Sequence, residues 1–275
     1  MKRFDEMMKQ FDIRTDADYR NALHEVMQQT ALAGLARSGF FFFSAFYGGT
    51  CLHLFHGMQR FSEDLDFSLL QEDGSFTLET HFDAIRSEFA ALGREVEIRH
   101  KKRKLDGAID SAFVKDATEI VNIAFSTERT VQVKFEVDCI PPSGFGTETK
   151  LLMLPFSFMV RCMDLPSLYA GKMHALLFRQ WKNRVKGRDW YDFEWYVRNG
   201  HVMNFAHLVK RIDQSHPGKS PSSEADFRKM LQERIAQTDF VSAKADVQSF
   251  IRNPMELGIW SADYFSQVAE RMKIG

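Results

Sequence analysis

The spacing of apolar positions changes several times along the chain, and each change predicts an element. Leu23, Val26, Met27, Leu32 and Leu35 recur at three- and four-residue intervals, which predicts a helix over 16–37. Asp16 or Asp18 can cap it, and Ser38-Gly39 ends it. The aromatic run from Phe40 to Tyr47 predicts a strand that stops at Gly48-Gly49. Thr50 then opens a short apolar helix, Cys51-Leu52-His53-Leu54-Phe55, closed by Gly57. Leu65, Phe67 and Leu69 alternate with Asp64, Asp66 and Ser68, the pattern of a strand with two unlike faces. Phe82, Ile85, Phe89 and Leu92 predict a second amphipathic helix over 77–91, after a turn at Asp73-Gly74-Ser75.

Three further strands, Glu95–Leu105, Ala112–Ala124 and Thr130–Ile140, predict an antiparallel meander. The third alternates most cleanly, with Val131, Val133, Phe135, Val137 and Cys139 opposed to Gln132, Lys134, Glu136 and Asp138. Such a sheet packs helices on one face and leaves the other open. Beyond the turn-rich Pro141–Thr149, Leu151–Met163 predicts one more strand with a break at Pro155. Strand signals stop at Pro166, which suits a first helical turn and precedes the stripe Leu168, Tyr169, Met173, Leu176 and Leu177. Further helices are expected near 189–198, 203–214, 223–237, 240–251 and 260–272. The reading is α+β: a sheet domain over 1–160 with an N-terminal helix, then a helical domain over 161–275.

Composition narrows this picture. A hydrophobic fraction of 44% with 26 Phe in 275 residues supports a large packed core. A net charge of −1 gives no global attraction to nucleic acid, so an RNA contact requires a local patch. Arg99-His100-Lys101-Lys102-Arg103-Lys104 is the candidate; its plainer reading is a solvated hairpin. Cys51, Cys139 and Cys162 are odd in number and lack paired spacing, which favours a reducing compartment. The charged start Met1-Lys2-Arg3 and the absence of any run near the roughly 20 apolar residues of a bilayer span lead us to expect a cytoplasmic protein without membrane contact.

The chemistry concentrates in GGTCLHLFHGMQRFSEDLDF. Two glycines let a backbone approach a bulky anion, a hydroxyl caps free N–H groups, and phosphate binds at such a helix start. Asp64 and Asp66 share one strand face, and paired carboxylates suit magnesium, which prefers oxygen ligands and bridges to substrate phosphates. If this strand pairs with Thr130–Ile140, Glu136 or Asp138 joins them. Taken separately, a Gly-Gly pair is an ordinary turn and Asp-x-Asp a solvated strand face; the combination over twenty residues is more specific. Lys172 and Arg179 stand almost two helical turns apart, and Arg188-Asp189 and Asp192 follow the basic link Lys182–Lys186. Out of context these are solvated helix charges.

The Gly-Gly-Thr turn, Arg60 ahead of Ser62-Glu63-Asp64-Leu65-Asp66, Lys172, and Arg188-Asp189 with Asp192 together resemble the nucleotidyltransferase family of the AbiEii and MenT toxins. Those toxins belong to type IV-style toxin–antitoxin systems and to the DNA polymerase β-like superfamily. The resemblance runs from about Gly48 to Asp192, and the region after Gly200 carries no motif. It implies a polymerase β-like mixed sheet domain followed by an all-helical domain closing the cleft. The implied reaction is transfer of a nucleoside monophosphate from an NTP to an acceptor hydroxyl.

The resemblance also implies roles. Asp64 and Asp66 hold Mg2+ with a third acid, Glu136 or Asp138; the Lys-Phe-Glu-Val context of Glu136 is the more like the family's. Gly48, Gly49 and Thr50 cradle the phosphates, and Lys172 and Arg179 stabilise charge. Either Asp189 or Asp192 completes the site, Asp189 as catalytic and Asp192 as substrate-binding. Arg60 and Ser62 brace the acidic strand beside the substrate. Implied partners are a separately encoded antitoxin and, for some members, tRNA as acceptor. An antibiotic-modifying nucleotidyltransferase would use the same cleft, and a nucleotide-binding regulatory protein would bind without turnover.

Overall fold

The computed structural model describes residues 2–100, 118–125, 131–179 and 185–275. A short helix, α1 (Lys2–Met8), precedes the longest one, α2 (Asp16–Arg37). The cap of α2 is Thr15: its hydroxyl accepts from Asp18 N while the Asp18 carboxylate accepts from Thr15 N, two end groups satisfied reciprocally. Asp18 is thus the cap's partner rather than the cap. The aromatic run differs from expectation. Phe40–Phe42 is a 3-10 turn after Gly39, and the strand β1 is only Ser44–Tyr47. Phe40 and Phe41 are both buried.

There follow α3 (Gly48–His56), β2 (Asp64–Leu69), α4 (Phe82–Ala91), β3 (Val96–His100), β4 (Thr118–Phe125), β5 (Gln132–Asp138), β6 (Thr147–Leu152) and β7 (Phe158–Met163). The single strand expected at Leu151–Met163 is therefore two, on either side of Pro155. Seven strands form one mixed sheet in the order β3-β4-β5-β2-β1-β7-β6. The meander β3-β4-β5 is antiparallel, as is β1–β2, whereas β2 runs parallel to β5 and β1 parallel to β7. Lys101–Lys104 of the basic cluster and the expected strand start at Ala112 lie outside the described residues.

One face of the sheet carries Leu65, Phe67, Val133, Phe135 and Val137, all 0–1% exposed. Phe67 sits at its middle, with ring centroids 5.0 Å from Phe40, 5.2 Å from Phe46 and 6.2 Å from Phe135. Helices α2 and α4 pack against each other. A Cβ at Gly34 would lie 2.6 Å from Ile85 Cα, so glycine permits that crossing.

The remaining elements are α5 (Leu165–Phe178), α6 (Gly187–Arg198), β8 (Val202–Met203), α7 (Phe205–Ser215), α8 (Glu224–Ala236), α9 (Phe240–Val247), α10 (Ala262–Glu270) and β9 (Lys273–Ile274). The parallel pair β8–β9 was not expected from the pattern; two-residue strands are too short to alternate visibly. Helix α5 begins at an Asp164 cap whose carboxylate accepts from Ser167 N, with Pro166 in the first turn. Trp190, Phe193, Phe240, Trp260 and Phe265 form the aromatic core here.

The chain forms two compact units. The first is Met1–Phe55 with Ser62–Pro141 and Thr147–Cys162; the second is His56–Phe61 with Pro142–Gly146 and Met163–Gly275. Among the described residues, no helix is long and apolar enough to cross a membrane. Removing the central ring tests the packing of the first unit. Phe67→Ala is expected to lower the unfolding free energy by about 3–5 kcal/mol, measured by urea denaturation.

Candidate active site

Three successive backbone carbonyls hold the start of β2. Gln28 Nε2, from the buried side of α2, donates to Ser62 O at 2.9 Å and to Glu63 O at 3.0 Å. Thr50 Oγ1 donates to Asp64 O at 2.5 Å. The hydroxyl expected to cap α3 is therefore spent on tying α3 to the acidic strand, because Thr50 is the third residue of a helix that already starts at Gly48. Gly48 itself has φ +84°, the left-handed region, and a Cβ there would fall 2.1 Å from Asp66 Oδ2. Glycine is thus required twice over, by backbone angle and by the carboxylate pressed against it.

The parallel register of β2 and β5 decides which acids meet. Asp64 is opposite Lys134, Asp66 opposite Glu136 and Ser68 opposite Asp138, while Tyr47 pairs with Asp66 from the other side. Neighbouring strands stand about 4.8 Å apart, so Asp66 and Glu136 project side by side from the open face. Asp138 lies one step further along, and its Oδ1 accepts from Ile140 N at 3.1 Å, closing the strand end. Lys134 was not singled out from the sequence, yet it ion-pairs with Glu136 on this same face. Burial alone would lower its pKa; the hydrogen bond and charge of Glu136, with Asp64 and Asp66, override that and leave it raised. Among the described residues, no three His, Cys, Asp or Glu side chains converge as a ready metal cage.

The other candidate residues lie in the second unit. Asp192 is fully buried and takes three partners: Arg60 Nε at 2.5 Å, Arg60 Nη2 at 2.7 Å and Lys172 Nζ at 2.7 Å. Burial pushes its carboxyl up, but the charges of Arg60 and Lys172 prevail and hold it down at about 2. Arg60 is only 2% exposed and also donates to Phe61 O. Its guanidinium is thus engaged by Asp192 and by the loop that leads to Ser62. Asp189 is also buried and pairs with Arg179 Nη1 at a longer 3.4 Å. Arg179 is the residue just past α5, not a member of its last turn.

Lys186, at the start of α6, has its ammonium pushed down to about 8, first by burial and then by the charges of Arg179, Arg188 and Lys172. The sequence signal for Lys186 was the basic link 182–186, most of which lies outside the described residues.

Residues 30–270 match the family described as the nucleotidyl transferase AbiEii toxin of a type IV toxin–antitoxin system. The crystal structure of JHP933 from Helicobacter pylori is similar with a TM-score of 0.53 and 17% identity, covering 91% of this chain and 90% of that one, which shows a shared fold. MenT4, a nucleotidyltransferase toxin from Mycobacterium tuberculosis, aligns with a TM-score of 0.49 and 15% identity over 98% of both chains. No curated protein sequence matches significantly.

The buried Asp192 network makes a stability prediction with a sign. Asp192→Asn leaves Arg60 buried without its counter-charge and is expected to cost about 3–5 kcal/mol in urea unfolding at neutral pH. Because the folded carboxyl is depressed to about 2, its contribution is present above the ordinary carboxylate range and is lost as pH falls toward that value. The native chain should therefore lose stability between about pH 4 and 2 more steeply than the Asn variant.

Proposed function

This chain belongs to the AbiEii nucleotidyltransferase toxin family, and on that premise we propose that it moves a nucleoside monophosphate from an NTP to an acceptor hydroxyl and releases pyrophosphate. One observation carries the reading: Asp66 stands beside Glu136 in parallel register, with the Gly48 turn against its carboxylate. The carboxylates of Asp64, Asp66 and Glu136 are oxygen donors of the kind a hard divalent cation takes, and these residues would hold Mg2+ once drawn together around it. When bound, that ion would lower the pKa of the attacking hydroxyl and offset phosphate charge.

The chain's own groups do the rest. Gly48 and Gly49 bring backbone N–H groups at the start of α3 to the phosphates, an arrangement that favours anions. Thr50 and Ser62 keep that turn and the acidic strand in place. Lys172, oriented by Asp192, supplies a compact positive charge to the transferred and leaving phosphates, and Arg179, held by Asp189, adds a second. In this reading the protein works in the cytoplasm, the acceptor is an RNA such as tRNA, and a separately encoded antitoxin restrains it.

The test is incubation with labelled nucleotides, magnesium, total RNA and a panel of aminoglycosides. Labelled RNA is the expected product, and Asp66→Asn should form none. Lys172→Ala should slow transfer by roughly 100–1,000-fold while retaining metal binding. Label on an aminoglycoside instead would make the chain an antibiotic-modifying enzyme, and nucleotide binding without transfer a regulatory protein. Overproduction of the native chain should slow growth of its host, with Asp66→Asn and Lys172→Ala both harmless at equal abundance. Persistent growth arrest by both soluble variants would separate the toxicity from this chemistry.

A further inference from the structure

Lys134 belongs to the carboxylate face but has no part in the reaction as proposed. It is in register with Asp64, and two residues before Glu136, so its side chain leaves the sheet on the side of the acids. It is the only cation in β2 or β5, whereas that face carries Asp64, Asp66, Glu136 and Asp138. Carboxylates on adjacent strands, about 4.8 Å apart, repel one another unless a positive charge lies between them. Here that charge is the Lys134 ammonium on Glu136 Oε1.

We propose that Lys134 is a built-in counter-ion that occupies the place of a divalent cation at Glu136, and that it must release Glu136 before metal is held there. The proposal rests on reading this face as the metal site. Lys134 is then a positioning residue: it keeps the acids together in the metal-free protein and sets how tightly they take a metal. The exchange is one ion pair for one metal–carboxylate bond, with Lys134 protonated throughout.

Two observations favour exchange over a fixed bridge. The side chains of Lys134 and Glu136 are 37% and 32% exposed, so the ammonium can swing into water on its flexible stem without any unpacking. The buried pair of Lys172 with Asp192 is different: the carboxylate there is 0% exposed and cannot be offered to solvent. A divalent ion also brings twice the charge and takes oxygen ligands by preference. An ammonium left within a few ångströms of it weakens its binding on the order of tenfold or more.

Manganese titration of the full chain, read by the electron paramagnetic resonance of free Mn2+, tests this. Lys134→Gln is expected to bind Mn2+ roughly tenfold or more tightly than the native chain, and Lys134→Arg, which keeps the charge, about as the native chain does. Metal-free Lys134→Gln should melt lower than native and gain more from added Mn2+. Lys134→Met serves as the neutral variant if the Gln form does not fold without metal. Asp66→Asn should lose binding in both the native and the Lys134→Gln backgrounds. Equal or weaker binding by the neutral variants, with Asp66→Asn still impaired, would overturn the counter-ion role and leave the metal site standing. Absence of binding in the native and neutral forms alike would remove the metal site and this proposal together.

Discussion

The carbonyls of Ser62, Glu63 and Asp64 are where the two chemistries of this chain, packing and charge, are joined. Gln28 holds the first two and Thr50 the third, so α2 and α3 both fix the point at which β2 enters the sheet. From there the side-chain period of two takes over. Leu65 and Phe67 face the core, and Asp64 and Asp66 face outward. A slip of one residue would drive both carboxylates into the ring cluster of Phe40, Phe46 and Phe135 and expose Phe67. The apolar face thus enforces the acidic one. Once β2 is placed, its parallel pairing sets Asp66 beside Glu136, and the Tyr47–Gly48 turn comes with the antiparallel partner.

The two units handle buried charge in different ways. In the second, Asp192 is inaccessible and neutralised by two cations, an arrangement in which removing one partner leaves a charge stranded. Lys172 is thereby held in one orientation. In the first, the acids remain partly open to water and one lysine moderates them. The buried Asp192 network orients a side chain; the half-open Lys134–Glu136 pair is the one proposed to exchange for an ion.

Much of this was legible in the residues because it depends on short spacings. The helix over 16–37, the antiparallel pairing of the meander and the alternation of Gln132 to Asp138 are all periodicities, and the described residues carry them, the meander in shorter strands. What escaped reading depends on contacts between distant positions. Nothing local in Gln28 announces a bond to Ser62, and Lys134 looks like any solvated strand residue until its register with Asp64 is known. Arg60 reads as part of the acidic motif, yet its partner Asp192 lies far along the chain. The aromatic run misled because four adjacent Phe carry no period, and the glycine before them turns the chain into a 3-10 segment. Sequence spacing left Asp189 and Asp192 equivalent; burial and partners separate them, with Asp192 as the anchor of Lys172.

The open face of β2 and β5 is proposed to receive a metal-bound triphosphate because packing holds its acids there. The most direct measurement is a crystal structure of the full chain grown with Mn2+ and a non-hydrolysable nucleoside triphosphate, with manganese located by anomalous scattering. The expected result is manganese at the Asp64 and Asp66 carboxylates, phosphates against the Gly48–Gly49 turn, and Glu136 released from Lys134, as the proposed site requires. Well-ordered nucleotide bound elsewhere, with no manganese at either aspartate, would contradict it.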